Sequence, residues 1–89
     1  MPEISRFYGI VITVNFGDHP PPHIHASYGD QEATVGIRNA RILEGVLAPR
    51  ARRMVLRWDT LHREELMAHW EWARNRGREG RPAPIPPLE

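Results

Sequence analysis

The hydrophobic period of this chain changes once, at Pro49, and that change restricts the fold to strands first and helices after. Before Pro49 the apolar residues alternate. Tyr8 to Phe16 is rich in β-branched residues and places Ile10, Ile12, Val14 and Phe16 on one side. His23 to Tyr28 alternates again, with Ile24, Ala26 and Tyr28 opposite His23, His25 and Ser27. Glu32 to Arg38 turns Ala33, Val35 and Ile37 inward, and Ile42 to Leu47 makes a short fourth strand. Gly17-Asp18, Gly29-Asp30 and Asn39-Ala40 are turn signals, and the prolines at 20–22 forbid ladder hydrogen bonds. Spacers this short predict an antiparallel meander.

After Pro49, a residue at home in the first turn of a helix, Ala51, Met54, Val55 and Trp58 follow at helical spacing. One straight helix to Asn75 would carry Glu65 into the apolar stripe, so a break is expected near Asp59-Thr60, either of which can cap a second helix. That helix carries His62, Leu66, His69, Trp70 and Ala73 on one face. Gly77 and Gly80 end it, and the prolines from Pro82 onward leave an extended tail that Ile85 and Leu88 can anchor. The expected architecture is α+β: a four-stranded antiparallel meander, two C-terminal helices packed on one face, and a Pro-rich tail. It forms a single domain over 1–89, with strands within 4–47, helices within 49–76 and the tail over 77–89. At 89 residues the core is small, so a homodimer or a bound partner is a natural expectation.

The absence of cysteine removes disulfides, thiolate zinc sites and cysteine nucleophiles together, and it suits a reducing cytosol. No apolar run approaches membrane-spanning length and the start lacks the pattern of a signal peptide. A soluble, cytoplasmic protein with no membrane partner is therefore expected. Charge is uneven: residues 1–48 hold three arginines against five acids, and residues 49–89 nine against six. Every basic residue is arginine, whose planar fork suits phosphates and carboxylates.

The residues that draw most attention are His19, His23 and His25, in the run His19-Pro-Pro-Pro-His-Ile-His25. Two histidines two apart on a strand share a face, so both imidazoles can converge on one substrate or one metal. In the first reading no cofactor is needed. His23 and His25 act as an acid–base pair on RNA, with Arg38 contacting phosphate. In an alternative reading His19, His23 and His25 hold zinc or another divalent metal, with an open fourth position, as in metal-dependent hydrolases. In a third the protein is a non-enzymatic binding module and the histidines are structural. Arg50, Arg53 and Arg57 share one side of the first helix, where cations oppose the helix dipole; they are candidates for nucleic-acid or partner binding. His62 reaches the sheet histidines only if its helix end faces them.

Four segments together resemble a bacterial family known as domain of unknown function 4160. They are Met1-Pro-Glu-Ile-Ser-Arg-Phe-Tyr-Gly-Ile10, Asp18-His-Pro-Pro-Pro-His-Ile-His-Ala26, Leu61-His-Arg-Glu-Glu-Leu66 with Trp70, and Ile85-Pro-Pro-Leu88. The resemblance implies a toxin–antitoxin component, encoded beside a small cognate protein, with RNA or DNA as a further partner. It supplies no demonstrated activity, metal or catalytic residue to carry over. It raises His19, His23 and His25 only as its signature.

Overall fold

The computed structural model describes residues 2–78 and 80–89. Five strands form one antiparallel sheet in chain order: β1 (Glu3–Phe7), β2 (Ile10–Thr13), β3 (His23–Tyr28), β4 (Gln31–Gly36) and β5 (Arg41–Gly45). Two helices follow, α1 (Pro49–Leu61) and α2 (Arg63–Arg74). The antiparallel meander, the helix pair and the extended tail agree with expectation, but the strand count is five rather than four. The extra strand comes from Tyr8 and Gly9, which take φ of 49° and 80° and fold Phe7 back onto Ile10. Two consecutive left-handed residues make the tight hairpin turn whose twist matches that of the strands. The segment from Tyr8 to Phe16 therefore starts as a turn and ends as a loop, with only its centre in the ladder.

Register explains the core. Ile12 pairs with Ala26 and Ala26 with Ala33, while Ile24 pairs with Val35, so one face of the sheet is continuously apolar. Ile10, Ile12, Val14, Ile24, Val35 and Ile37 are fully buried, as are Ala51, Val55, Trp58, Leu66 and Ala73 from the helices. Each large aliphatic side chain removed from water in this way contributes roughly 1.5–3 kcal/mol. On the opposite face Thr13, His25, Thr34 and Glu44 form one row across four strands, and Ser27 lies beside Glu32 in the next. Phe16, expected inward, is exposed and lies edge-on against Trp72, with ring centroids 5.3 Å apart.

The helix break falls at His62 rather than at Asp59-Thr60. Neither of those residues caps anything. The Thr60 hydroxyl donates back to the Leu56 carbonyl, and the Asp59 side chain is buried without a hydrogen-bond partner. His62 leaves the helical region (φ −120°, ψ 29°), and its Nδ1 lies 2.6 Å from Glu65 Oε1. The bend turns Glu65 out to solvent, as the apolar stripe required. The tail runs beside β1: the Ile85 amide donates to the Ile4 carbonyl, and the Ser5 hydroxyl donates to the Ile85 carbonyl. Trp58 Nε1–H and His69 Nε2–H clamp the tail at the carbonyls of Pro86 and Ala83. Among the described residues no helix is long and apolar enough to cross a membrane.

Candidate metal centre

The loop from Val14 to Pro22 folds back so that its acid meets the histidines of β3. Its return is fixed at the Gly17 amide, which donates to the Ala73 carbonyl near the end of α2. Asp18 Oδ2 then lies 2.8 Å from His23 Nε2 and 3.1 Å from His25 Nε2. The donor atoms of all three residues lie within 4.8 Å of one another. The imidazoles meet nearly at right angles (84°), with centroids 5.1 Å apart. Behind them the ring of Trp70 is 5.1 Å from that of His23. The His23, His25 and Asp18 side chains retain 11, 16 and 25% of their exposure, so the cluster is sheltered yet reachable from solvent. His23 is thus packed against α2 at the end of the sheet.

The protons available do not satisfy this arrangement. His23 Nδ1 lies 2.8 Å from the Pro21 carbonyl, which can only accept, so Nδ1 carries the hydrogen. A neutral His23 then points a lone pair from Nε2 at a carboxylate oxygen that offers another. His25 meets the same conflict. Its Nε2 faces Asp18 Oδ2 and, at 3.1 Å, the Asn15 side-chain amide nitrogen. If that amide donates to Nε2, the nitrogen has no hydrogen for Asp18. Asn15 Oδ1 is itself buried without a partner. With both imidazoles neutral and the Asn15 amide donating, two nitrogens and one oxygen present lone pairs to one small space. Either additional protons or a single divalent cation resolves the repulsion.

The electrostatics favour positive charge there. Burial works to raise the Asp18 carboxyl, but His25 and His23, once protonated on Nε2, outweigh it through their hydrogen bonds and their charge and hold the group below its ordinary range. The groove beside His25, about 360 Å³, is lined by Glu32, Thr34 and Glu44 and adds carboxylates of its own. The bond from His23 Nδ1–H to a backbone carbonyl is the contact that fixes the tautomer of metal-bound histidines and frees Nε2 for the ion.

Of the sites expected from sequence, His23 and His25 come together. His19 is exposed and lies outside the cluster, because the proline run carries it away; Asp18 stands where a third imidazole was expected. Arg38 is exposed in the turn after β4 and makes no hydrogen bond or ion pair with either histidine. Arg50, Arg53 and Arg57 lie exposed along α1 and take no part in the centre. His62 is engaged by Glu65 and by the ring of Trp58. Asp18 was not anticipated, although a carboxylate five and seven residues before two histidines was visible in Asp18-(x)4-His23-x-His25.

The family model described as Domain of unknown function (DUF4160) matches residues 9–71, well over half of the chain. The chain belongs to this family. The matched span contains Asn15, Asp18, His23 and His25 together with Trp70, so the whole centre lies within the family's domain. No curated protein and no solved structure matches the chain.

Proposed function

We propose that Asp18, His23 and His25 hold a divalent metal ion, zinc in the first instance, and that the protein is a metal-dependent hydrolase. One observation carries this reading: three lone-pair atoms converge within 4.8 Å while the proton of His23 is committed to Pro21. Two imidazoles and one carboxylate are a ligand set that zinc and other first-row divalent metals accept. Three protein ligands leave a position open, and a metal so held lowers the pKa of bound water toward neutrality. The chain's own residues do the rest. Pro21 holds the His23 ring, Asn15 steadies His25, and Trp70 backs the centre with an apolar wall.

The reading in which the histidines cleave RNA without a metal lacks support for its third element. Among the described residues no arginine hydrogen-bonds or ion-pairs with either histidine, and Glu32 and Glu44 beside His25 would repel a phosphate backbone. In the toxin–antitoxin setting that the family resemblance implies, the metal centre would carry the toxic activity. Induced expression would then arrest bacterial growth, and a folded Asp18→Asn variant would restore it.

The direct test is the metal content of untagged protein, since an affinity tag of histidines would bind metal itself. One equivalent of zinc or iron per chain is expected, with loss in Asp18→Asn and in His23→Ala. Protein that emerges metal-free and takes up none of these ions on titration would leave protons as the answer to the lone-pair conflict and end this proposal.

A further inference from the structure

The start of α1 concentrates positive charge without an internal reason for it. Arg50, Arg53 and Arg57 are exposed at spacings of three and four, so they line one side of the helix over about 10 Å. The first turn of α1 contains no acid to balance them, and cations there oppose the helix dipole. None of the three makes an ion pair or hydrogen bond among the described residues. Beside them lies a concavity of about 320 Å³ whose remaining lining is Met54 and Leu88, the latter from the tail. A second concavity of about 450 Å³ adjoins it, sharing Arg57 and Leu88 and adding Leu61, His62, Pro87 and one exposed acid, Glu89. Leu61 is 61% exposed, a large apolar side chain left uncovered at the end of the same helix.

We infer that this face docks an acidic, amphipathic segment of another protein. Its carboxylates would engage Arg50, Arg53 and Arg57, where arginine forks pair well with carboxylates. Its apolar side chains would fill the hollow floored by Met54 and Leu88. A nucleic-acid backbone satisfies the first half of this surface and not the second. Phosphates would neutralise the arginines but leave the apolar floor uncovered, whereas the anchors of a protein interface seek such a pocket. The surface shares no residue with the metal centre, so the two proposals stand or fall separately.

The test uses the full chain and a fluorescent synthetic peptide with a glutamate stripe beside a leucine stripe, at helical spacing. Random-sequence DNA and RNA duplexes of similar charge are titrated in parallel. The peptide is expected to bind in the micromolar range, to loosen as salt is raised, and to bind about tenfold more weakly to two folded variants. These are Arg53→Glu/Arg57→Glu, which reverses the charge, and Leu88→Asp, which spoils the hollow. Duplexes that outcompete the peptide would overturn the inference, as would peptide binding indifferent to Leu88→Asp. So would failure of the peptide to bind, or self-association of the chain in ultracentrifugation that the double variant abolishes, which would make a second copy the occupant.

Discussion

Asp18, in the loop between β2 and β3, has two imidazoles on one carboxylate oxygen; Asp59, in the last turn of α1, has no hydrogen-bond partner on either oxygen. Asp59 is fully buried and the Asp18 side chain a quarter exposed, and they respond in opposite directions. Asp18 is held below its ordinary range because its hydrogen bonds outweigh its burial. Asp59 is pushed up to about 7 by burial, against the pull of Arg63. The contrast separates two uses of a sheltered acid. A carboxylate kept anionic by imidazoles whose protons a metal ion can replace is prepared for a cation. A buried carboxylate with no hydrogen-bond partner and only a distant arginine is prepared for a proton, and near neutrality it detracts from stability.

The largest effect should fall on metal binding. Asp18→Asn is expected to weaken zinc by roughly 100-fold or more, whereas Asp59→Asn leaves it unchanged; calorimetric titration of both variants checks the pair. Equal losses in the two would break the comparison. Zinc should also stabilise the fold, because it binds the native arrangement. At a hundredfold excess over its dissociation constant the gain is about 2.7 kcal/mol in the wild type and in Asp59→Asn, and near zero in Asp18→Asn, as read from denaturant midpoints.

The next effect concerns pH. Asp59 has a folded-state pKa above its unfolded value of 3.8, so between about pH 4 and 7 the folded chain keeps a proton that the unfolded chain releases. Stability contributed by the neutral acid is therefore lost as pH rises through that window and levels off above it. Asp59→Asn should flatten this slope and raise stability at pH 8 by about 2 kcal/mol, measured by urea unfolding in metal-free buffer. A slope that persists in the variant would assign it to other groups. The smallest effect is Asn15→Ala, which removes a contact to His25 rather than a ligand. Zinc affinity is expected to fall about tenfold with the fold intact.

Much of this architecture is legible in residue order, for reasons that particular segments make plain. Ile24, Ala26, Val35 and Leu66 carry clean periods, and the prolines of the tail dictate an extended chain. The Tyr8-Gly9 turn was hidden because alternation continues across it; β-branched residues on either side outweigh one glycine, and nothing local marks Tyr8 as left-handed. The Asp59-Thr60 break looked sound on capping grounds. It failed because Thr60 turned its hydroxyl back along α1 and Asp59 was drawn inside.

The site divides the same way. His23 and His25 follow from strand alternation. Asp18 reads as a turn residue until the loop's anchorage at Ala73 brings it round to them, and that anchorage is a tertiary fact. His19 shows the converse, since closeness in sequence to His23 did not bring it into the cluster.

The most direct examination of the central claim is the X-ray absorption spectrum of untagged protein carrying one equivalent of zinc. It should show only nitrogen and oxygen neighbours at about 2.0–2.2 Å, with outer-shell scattering from two imidazoles that falls to one in His25→Ala. A spectrum without imidazole scattering, or one that Asp18→Asn and His25→Ala leave unchanged, would place the metal elsewhere and contradict the account.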